Sequence, residues 1–422
     1  MTLVPQHIIL QSPASNDPLL DLNTQPSLDL QFATGKTLND RVSGNNLITF
    51  SRADATTCAT YVDSNGVIQT AAANVPRFDH DPVTGESLGL LIEEERTNEL
   101  ARSEEFDNAY WVKNQTTVVP NNVASPDGTS TAELLLDNSS LSNHAINRIT
   151  STLSNGTDYT FSVYAKSEIL NHCFLLFYSG STAFPLTVAS YDLANITASS
   201  VQGSPNFNIQ DVGNGWRRLS ITKTTIAAAT SLIEVRLSQD GVWNNRTYSG
   251  SGQGIYLWGA QLEANASFPT SYIPTSGSAV TRSSDLASIE GTNFSSWYNQ
   301  SEGTWSVDFA NDLSKQGSYQ GVLALDSNVP RIEGNSLVGF GGSTVFSPSS
   351  TEKVALAYGS TEGRAINGSV ASGSGGTITN KTKVGIGTGA ITGQGYQLST
   401  TISRLTYYPY RLADATLQEI TS

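Results

Sequence analysis

Tyr159-Thr160-Phe161-Ser162-Val163-Tyr164-Ala165 alternates with the period of two that sends successive side chains to opposite faces of a β-strand. Arg218-Leu219-Ser220-Ile221-Thr222 and Ile233-Glu234-Val235-Arg236-Leu237 repeat the pattern, and Gly- or Asn-rich turns separate the runs. Strands spaced in this way predict an antiparallel sandwich over residues 101–274. Outward from there, the polar small-residue stretch 275–292 has the composition of a linker. Beyond it strand patterns return in Gly303–Phe309, Lys353–Tyr358 and Thr401–Tyr407, which predicts a second sandwich over 293–422. The expected fold class is therefore all-β, with antiparallel β-sandwiches. Helix is expected to be scarce: a turn or two within Leu90–Glu105, and one short helix over Asp414–Ile420 capped by Asp414.

Composition agrees with many short strands joined by turns. Of 422 residues, 38% are hydrophobic, enough for buried cores, and 14% are charged, against about 25% in an ordinary globular protein. Ser, Thr, Asn and 36 glycines take the place of charge. A net charge of −14 argues against nucleic acid or an anionic membrane surface as partner. No run of about 18 apolar residues occurs, so no membrane insertion is expected. Met1–Pro5 lacks the basic and apolar regions of a secretory signal. Two cysteines, Cys58 and Cys173, make neither a disulfide framework nor a Cys-rich zinc site.

Residues 1–45 carry prolines at 5, 13, 18 and 26 and short apolar pieces, and are expected to form an extended arm with no core of its own. Residues 46–100 form a turn-rich stretch, with Asp63-Ser64-Asn65-Gly66 and Asp81-Pro82-Val83-Thr84-Gly85 in turn order.

No catalytic constellation emerges. Gly85-Glu86-Ser87-Leu88-Gly89 matches the nucleophile-elbow pattern, but it follows a turn and leads into a strand-like run, so permissive glycines of a turn explain it. The four histidines include no pair at metal spacing. Gly385-Ile386-Gly387-Thr388-Gly389 lacks the Lys and helix of a phosphate loop. Asp79, Asp81 and Glu86 surround a Gly turn and could offer calcium its oxygen ligands, or simply form a solvated Asx turn. Glu93-Glu94-Glu95 places neighbouring carboxylates on opposite strand faces, which suits pairing with Arg77 or Arg96 rather than glycoside hydrolysis. Among the tryptophans, Trp111, Trp216, Trp258 and Trp305 sit in strand-like runs and are expected in cores. Trp243 lies on the polar loop Asp240–Gly252 with Tyr248, Asp240 and Arg246. That is where glycan recognition would be built; alternatively the Trp243 ring folds back as a lid over the sandwich end.

The run Ile48–Trp111 resembles a module of bacteriophage virion proteins of the tail-fibre and head-spike-fibre type. The resemblance rests on Thr49-Phe50-Ser51-Arg52-Ala53, Ala59–Ile68, Ala73-Asn74-Val75-Pro76-Arg77-Phe78-Asp79, Gly89–Glu94 and Arg96-Thr97-Asn98. It departs at Asp54–Cys58, where this chain has a short insertion. In such proteins a jelly roll resembling carbohydrate-binding modules follows, which Gly215–Leu219, Ile255–Glu263 and Ser271–Thr275 fit. Ile402–Pro409 and Arg411–Ala415 are similar to concanavalin/laminin-G-like sandwiches, and the resemblance spans most of 27–422.

The resemblance implies a virion location and a structural, non-enzymatic appendage without cofactor. It implies docking onto other virion proteins through the N-terminal arm, homotrimeric assembly by analogy with fibres, and contact with a host surface glycan or receptor. The alternatives are a capsid decoration or adaptor that binds only virion proteins, and, further off, a polysaccharide depolymerase.

Overall fold

The computed structural model describes residues 25–54, 58–180, 183–310, 321–326, 331–333, 336–339, 342–345, 351–375, 380–387 and 399–422. Among them every strand pairing is antiparallel and the sheets stack as sandwiches, so the chain is all-β as its alternation predicts.

The first sandwich has two six-stranded sheets. One runs in the order Asn206–Asp211, Trp216–Thr224, Asp158–Ser167, Gly254–Ala264, Ala132–Asp137, Thr116–Val123. The other runs Thr197–Gln202, Thr187–Asp192, His172–Tyr178, Leu232–Ser238, Ala145–Ile149, Val112–Asn114. The chain crosses between sheets, from Ala145–Ile149 to Asp158–Ser167 and back to His172–Tyr178, which is jelly-roll winding.

The period of two decides which side chains face inward. Phe161, Val163 and Ala165 meet Cys173, Leu175 and Phe177 of the opposite sheet in one core, while Tyr164 points outward to join Trp216, Trp258 and Tyr272. Each fully buried large apolar side chain of this kind contributes about 1.5–3 kcal/mol. Trp111, Trp216, Trp258 and Trp305 are all buried, as their strand context predicts.

Glu133, on the strand Ala132–Asp137, is buried and accepts the backbone N–H of Asp107 at 2.8 Å. Burial pushes its carboxyl up to about 8 from 4.5. The folded state therefore holds a proton that the unfolded chain has released, and stability falls as pH rises from 4.5 towards 8. At about 1.4 kcal/mol per pH unit, Glu133→Gln should remove a loss of roughly 2–4 kcal/mol between pH 5 and 8. Denaturant midpoints of both proteins across that range check it; parallel profiles would show that Glu133 does not titrate there.

The second sandwich draws strands from distant parts of the chain. Its eight-stranded sheet runs Ser369–Ser374, Thr361–Ile366, Thr351–Tyr358, Gly303–Ala310, Thr400–Tyr408, Ser87–Ile92, Arg77–His80. Leu28–Leu30 pairs with the same edge of Thr400–Tyr408 that Ser87–Ile92 uses, one strand taking up where the other leaves off. The facing sheet begins Thr49–Ser51, Leu286–Glu290, Lys383–Ile386, Gly321–Leu325. Leu28, Leu30, Phe32, Leu90, Ile92, Ile289, Trp305 and Tyr407 share its core.

The described part of the arm thus differs from the expectation of an extended segment without a core. Leu28, Leu30 and Phe32 are fully buried, and Arg404 clamps Asp29 with two bonds of 2.9 and 3.0 Å. A three-residue strand is invisible to composition because its partner lies some 375 residues away along the chain. Residues 1–24 lie outside the described residues.

The stretch 275–292 differs from a plain linker in the same way. Val280–Arg282 pairs with Arg96–Asn98, Leu286–Glu290 lies in the second sandwich, and Arg282 and Asp285 are buried.

The helix Asp414–Ile420 packs Leu417 and Ile420 against Ala355, Ala357 and Ala365. Its cap position is Ala413, and the Asp414 carboxylate turns instead to Arg411 and Ser372. Leu90–Glu105 holds strands rather than helix. Among the described residues no helix is long and apolar enough to cross a membrane.

Candidate functional site

Where the two sandwiches meet, three arginines and three carboxylates are shut away from water. Arg52, Arg77 and Arg282 are all fully buried. Arg52 bonds Asp54 through Nε at 2.5 Å and Asp285 through Nη1 at 3.0 Å. Arg77 reaches Glu93 at 2.8 Å and Asp285 at 2.5 Å, and Arg282 lies 3.0 Å from Glu93. Further bonds tie the cluster to its surroundings: Arg77 donates to the Thr60 carbonyl, Arg282 to that of Glu94, and Ser271 donates both its N–H and its hydroxyl to Glu93, while Nε of Arg77 and of Arg282 has no hydrogen-bond partner.

Burial alone would raise the Glu93 carboxyl, but Arg282, Arg77 and Ser271 outweigh it and hold it well below the usual carboxylate range. The stability Glu93 contributes is therefore present above pH 4.5 and lost only as pH falls below it. Three positive and three negative charges cancel, and the cluster ties residues 52–93 to 271–285. The reading of Glu93 as a partner of Arg77 holds, as does that of Glu94 as a partner of Arg96.

Asn98 extends the same junction. Its amide donates to the carbonyls of Ala260 and Ile273 and accepts from the N–H groups of Leu100 and Leu262.

The acidic turn does not gather a metal site. Asp79 accepts the N–H of Val62 at 2.6 Å, while Asp81 accepts those of Val83 and Thr84 at 2.9 and 2.7 Å. The backbone bond from Thr84, together with that from Val83, holds the Asp81 carboxyl below its ordinary value even though partial burial opposes them. Glu86 is exposed. No group of three ligand side chains suited to a metal occurs among the described residues, so Asp79, Asp81 and Glu86 are corrected from a calcium site to an Asx turn and its neighbours. The Asp79 and Asp81 oxygens are directed at backbone N–H groups rather than at a common centre.

The loop after residue 239 divides its four candidates. Asp240 caps its own turn, accepting from Val242 N–H and the Asn245 amide at 2.9 and 2.6 Å. Trp243 is half-buried, edge-on to Phe174 with ring centroids 5.1 Å apart. The guanidinium groups of Arg236 and Arg246 lie 5.0 and 4.7 Å from its centroid. The ring is thus partly folded back, with two cations over it. Trp243→Ala should cost about 1–2 kcal/mol, between the ~0.5 of a free surface ring and the 3–5 of a core one; denaturant unfolding checks it.

Tyr248 goes inward and is corrected as an exposed contact. It is buried, pairs opposite Ser142, and lies 4.6 Å from the His144 ring. Polar neighbours in sequence concealed a two-residue strand.

A third place was not legible in the sequence. Several parts of the chain enclose a cleft of about 260 Å³: the hairpin Ala59–Val62/Ile68–Ala71, the strands Arg77–His80 and Ser87–Ile92, the outer face of the first sandwich with residues 268–272, and the strand Thr400–Tyr408. Its walls include His80, Asp79, Tyr61, Arg218, Asn208 and Thr401. Burial conceals two polar atoms among them, Nε of Arg218 and Nε2 of His80, which have no hydrogen-bond partner.

No family model matches this chain, and no curated protein does. Among solved structures it aligns with Trypanosoma rangeli sialidase in complex with 2,3-difluorosialic acid at 9% identity and a TM-score of 0.26, covering 72% of this chain and 61% of that one. The same sialidase in complex with sialic acid aligns at 11% identity and a TM-score of 0.24, covering 68% and 59%. The chain spans about three fifths of the length of these sialidases, and superposition at this level carries no argument about activity.

Proposed function

We propose that this chain is a structural bacteriophage virion protein, a non-catalytic fibre or appendage that holds two β-sandwiches in fixed orientation and presents them to a host surface glycan. One observation supports the reading above all. The residues that carry the resemblance to the phage module, Arg52, Arg77, Glu93 and Asn98, are those that build the buried junction. Their chemistry is that of a lock, since every one of these charged groups is paired with an opposite charge inside the protein and the Asn98 amide bonds four backbone groups.

A homotrimer on the virion, anchored through the N-terminal segment, belongs to the same proposal. The anchoring role falls on residues before 25. In particles of the phage that encodes the chain, mass spectrometry should find it in stoichiometric amount, and antibodies against it should decorate an appendage in electron micrographs. Its absence from purified particles would overturn the reading.

A further inference from the structure

Buried arginines in this protein come with carboxylates. Arg52, Arg77, Arg282 and Arg364 each lie within 3.0 Å of one. Arg218 is the exception among the described residues. It is 9% exposed, and its contacts are the Ser162 hydroxyl at 3.3 Å and the face of Tyr164, 5.2 Å from its centroid. Nε of Arg77, Arg282 and Arg364 has no hydrogen-bond partner, as in Arg218, but those three each have a carboxylate and Arg218 forms no ion pair, so its guanidinium carries the desolvation cost of a buried charge without that compensation.

His80, on the same cleft, is 5% exposed. Its Nδ1 lies 2.9 Å from the Val62 carbonyl, which can only accept, so Nδ1 carries a proton, and Nε2 at the other side of the ring has no hydrogen-bond partner. The carboxylates on the cleft walls are engaged elsewhere, Asp79 with the Val62 N–H and Glu93 with Arg77 and Arg282, so Arg218 is left without an anion and His80 Nε2 without a partner.

We propose that the cleft binds one hexuronic-acid unit of an acidic surface polysaccharide, with its carboxylate on Arg218 and a ring hydroxyl hydrogen-bonded to His80 Nε2. A uronic acid carries both groups on one ring, and a cavity of about 260 Å³ lies just below the size of drug-sized pockets, as a single sugar requires. Tyr61 and Asn208 on the walls supply an aromatic surface and an amide for further hydroxyls. The neighbouring lock adds no net charge to repel the ligand, because its arginines and carboxylates balance. Glycan contact in the cleft rests on the reading proposed above and moves the contact from the loop of Trp243 to the junction.

The test is calorimetric titration of the full chain with tri-galacturonic acid, with the neutral galactose trisaccharide as control. The acidic sugar should bind and the neutral one should bind at least about tenfold more weakly, the size of one charge-assisted hydrogen bond. Arg218→Gln should lose the preference for the acidic sugar, while its thermal midpoint stays equal or rises because a lone buried charge is gone. His80→Gln should weaken both sugars alike, and this variant carries the test if Arg218→Gln does not fold. Equal binding of acidic and neutral sugars, or an acidic preference that survives Arg218→Gln in a folded protein, overturns the proposal. So does phosphate displacing the trisaccharide as well as galacturonate does, which would mark a bare anion site. The two readings fail separately: absence from particles ends the virion assignment, whereas failure of the titration ends only this cleft.

Discussion

Asp285→Ala should be among the most damaging substitutions in this chain, at a cost of about 3–5 kcal/mol, because it leaves two buried guanidinium groups without their shared carboxylate. Asp285 accepts from Arg52 at 3.0 Å, from Arg77 at 2.5 Å and from the Glu93 N–H at 2.9 Å. Removing it strands positive charge in a site with no water to replace it. Denaturant unfolding measures the effect, and Asp285→Asn should lose less because the shape and part of the bonding survive. An exposed pair such as Arg102–Glu105 provides the contrast, since Glu105→Ala should cost less than about 1 kcal/mol. A loss at Asp285 no larger than that at Glu105 would mean that the junction is not a lock.

Gly89→Ala should cost at least about 3 kcal/mol, from left-handed backbone strain added to overpacking. Gly89 has φ of 100°, and a Cβ there would lie 2.1 Å from the Ile402 carbonyl oxygen and 2.8 Å from Ser403 Cα. Both are backbone atoms of a central strand and cannot move aside. Gly44 separates the two causes, because it has φ of 74° and open space around its Cβ. Gly44→Ala should show only the strain, about 1–2 kcal/mol. Thermal midpoints of the two variants decide the matter; equal losses would remove the steric argument. The last glycine of the hydrolase-like pattern at 85–89 is thus explained by strand packing. No nucleophile is needed to account for it.

Alternation, turn residues and the placement of four tryptophans were all readable from sequence, because a period of two and the burial of a large ring are local properties. The resemblance to the phage module also pointed at residues that matter, though the sequence did not say what they do. Arg52, Arg77 and Glu93 lie within the stretches that carry the resemblance, and their role appears only when Asp285 and Ser271 are brought beside them from about 200 residues away. Tyr248 shows the converse: a polar loop composition predicts surface, while its pairing partner Ser142 lies more than 100 residues upstream.

The sequence by itself determined the all-β class, the inward face of each long strand and the absence of a recognisable catalytic motif, since each depends on neighbours within about ten residues. Only the tertiary structure decided that Leu28–Leu30 completes a sheet with Thr400–Tyr408, that Arg218 pairs with no carboxylate among the described residues, and that a cleft opens where several distant parts of the chain meet. Those are facts about which distant segments touch. Pairing across hundreds of residues leaves no periodic trace in either partner, because a short strand's composition records that it will be buried and not what will bury it.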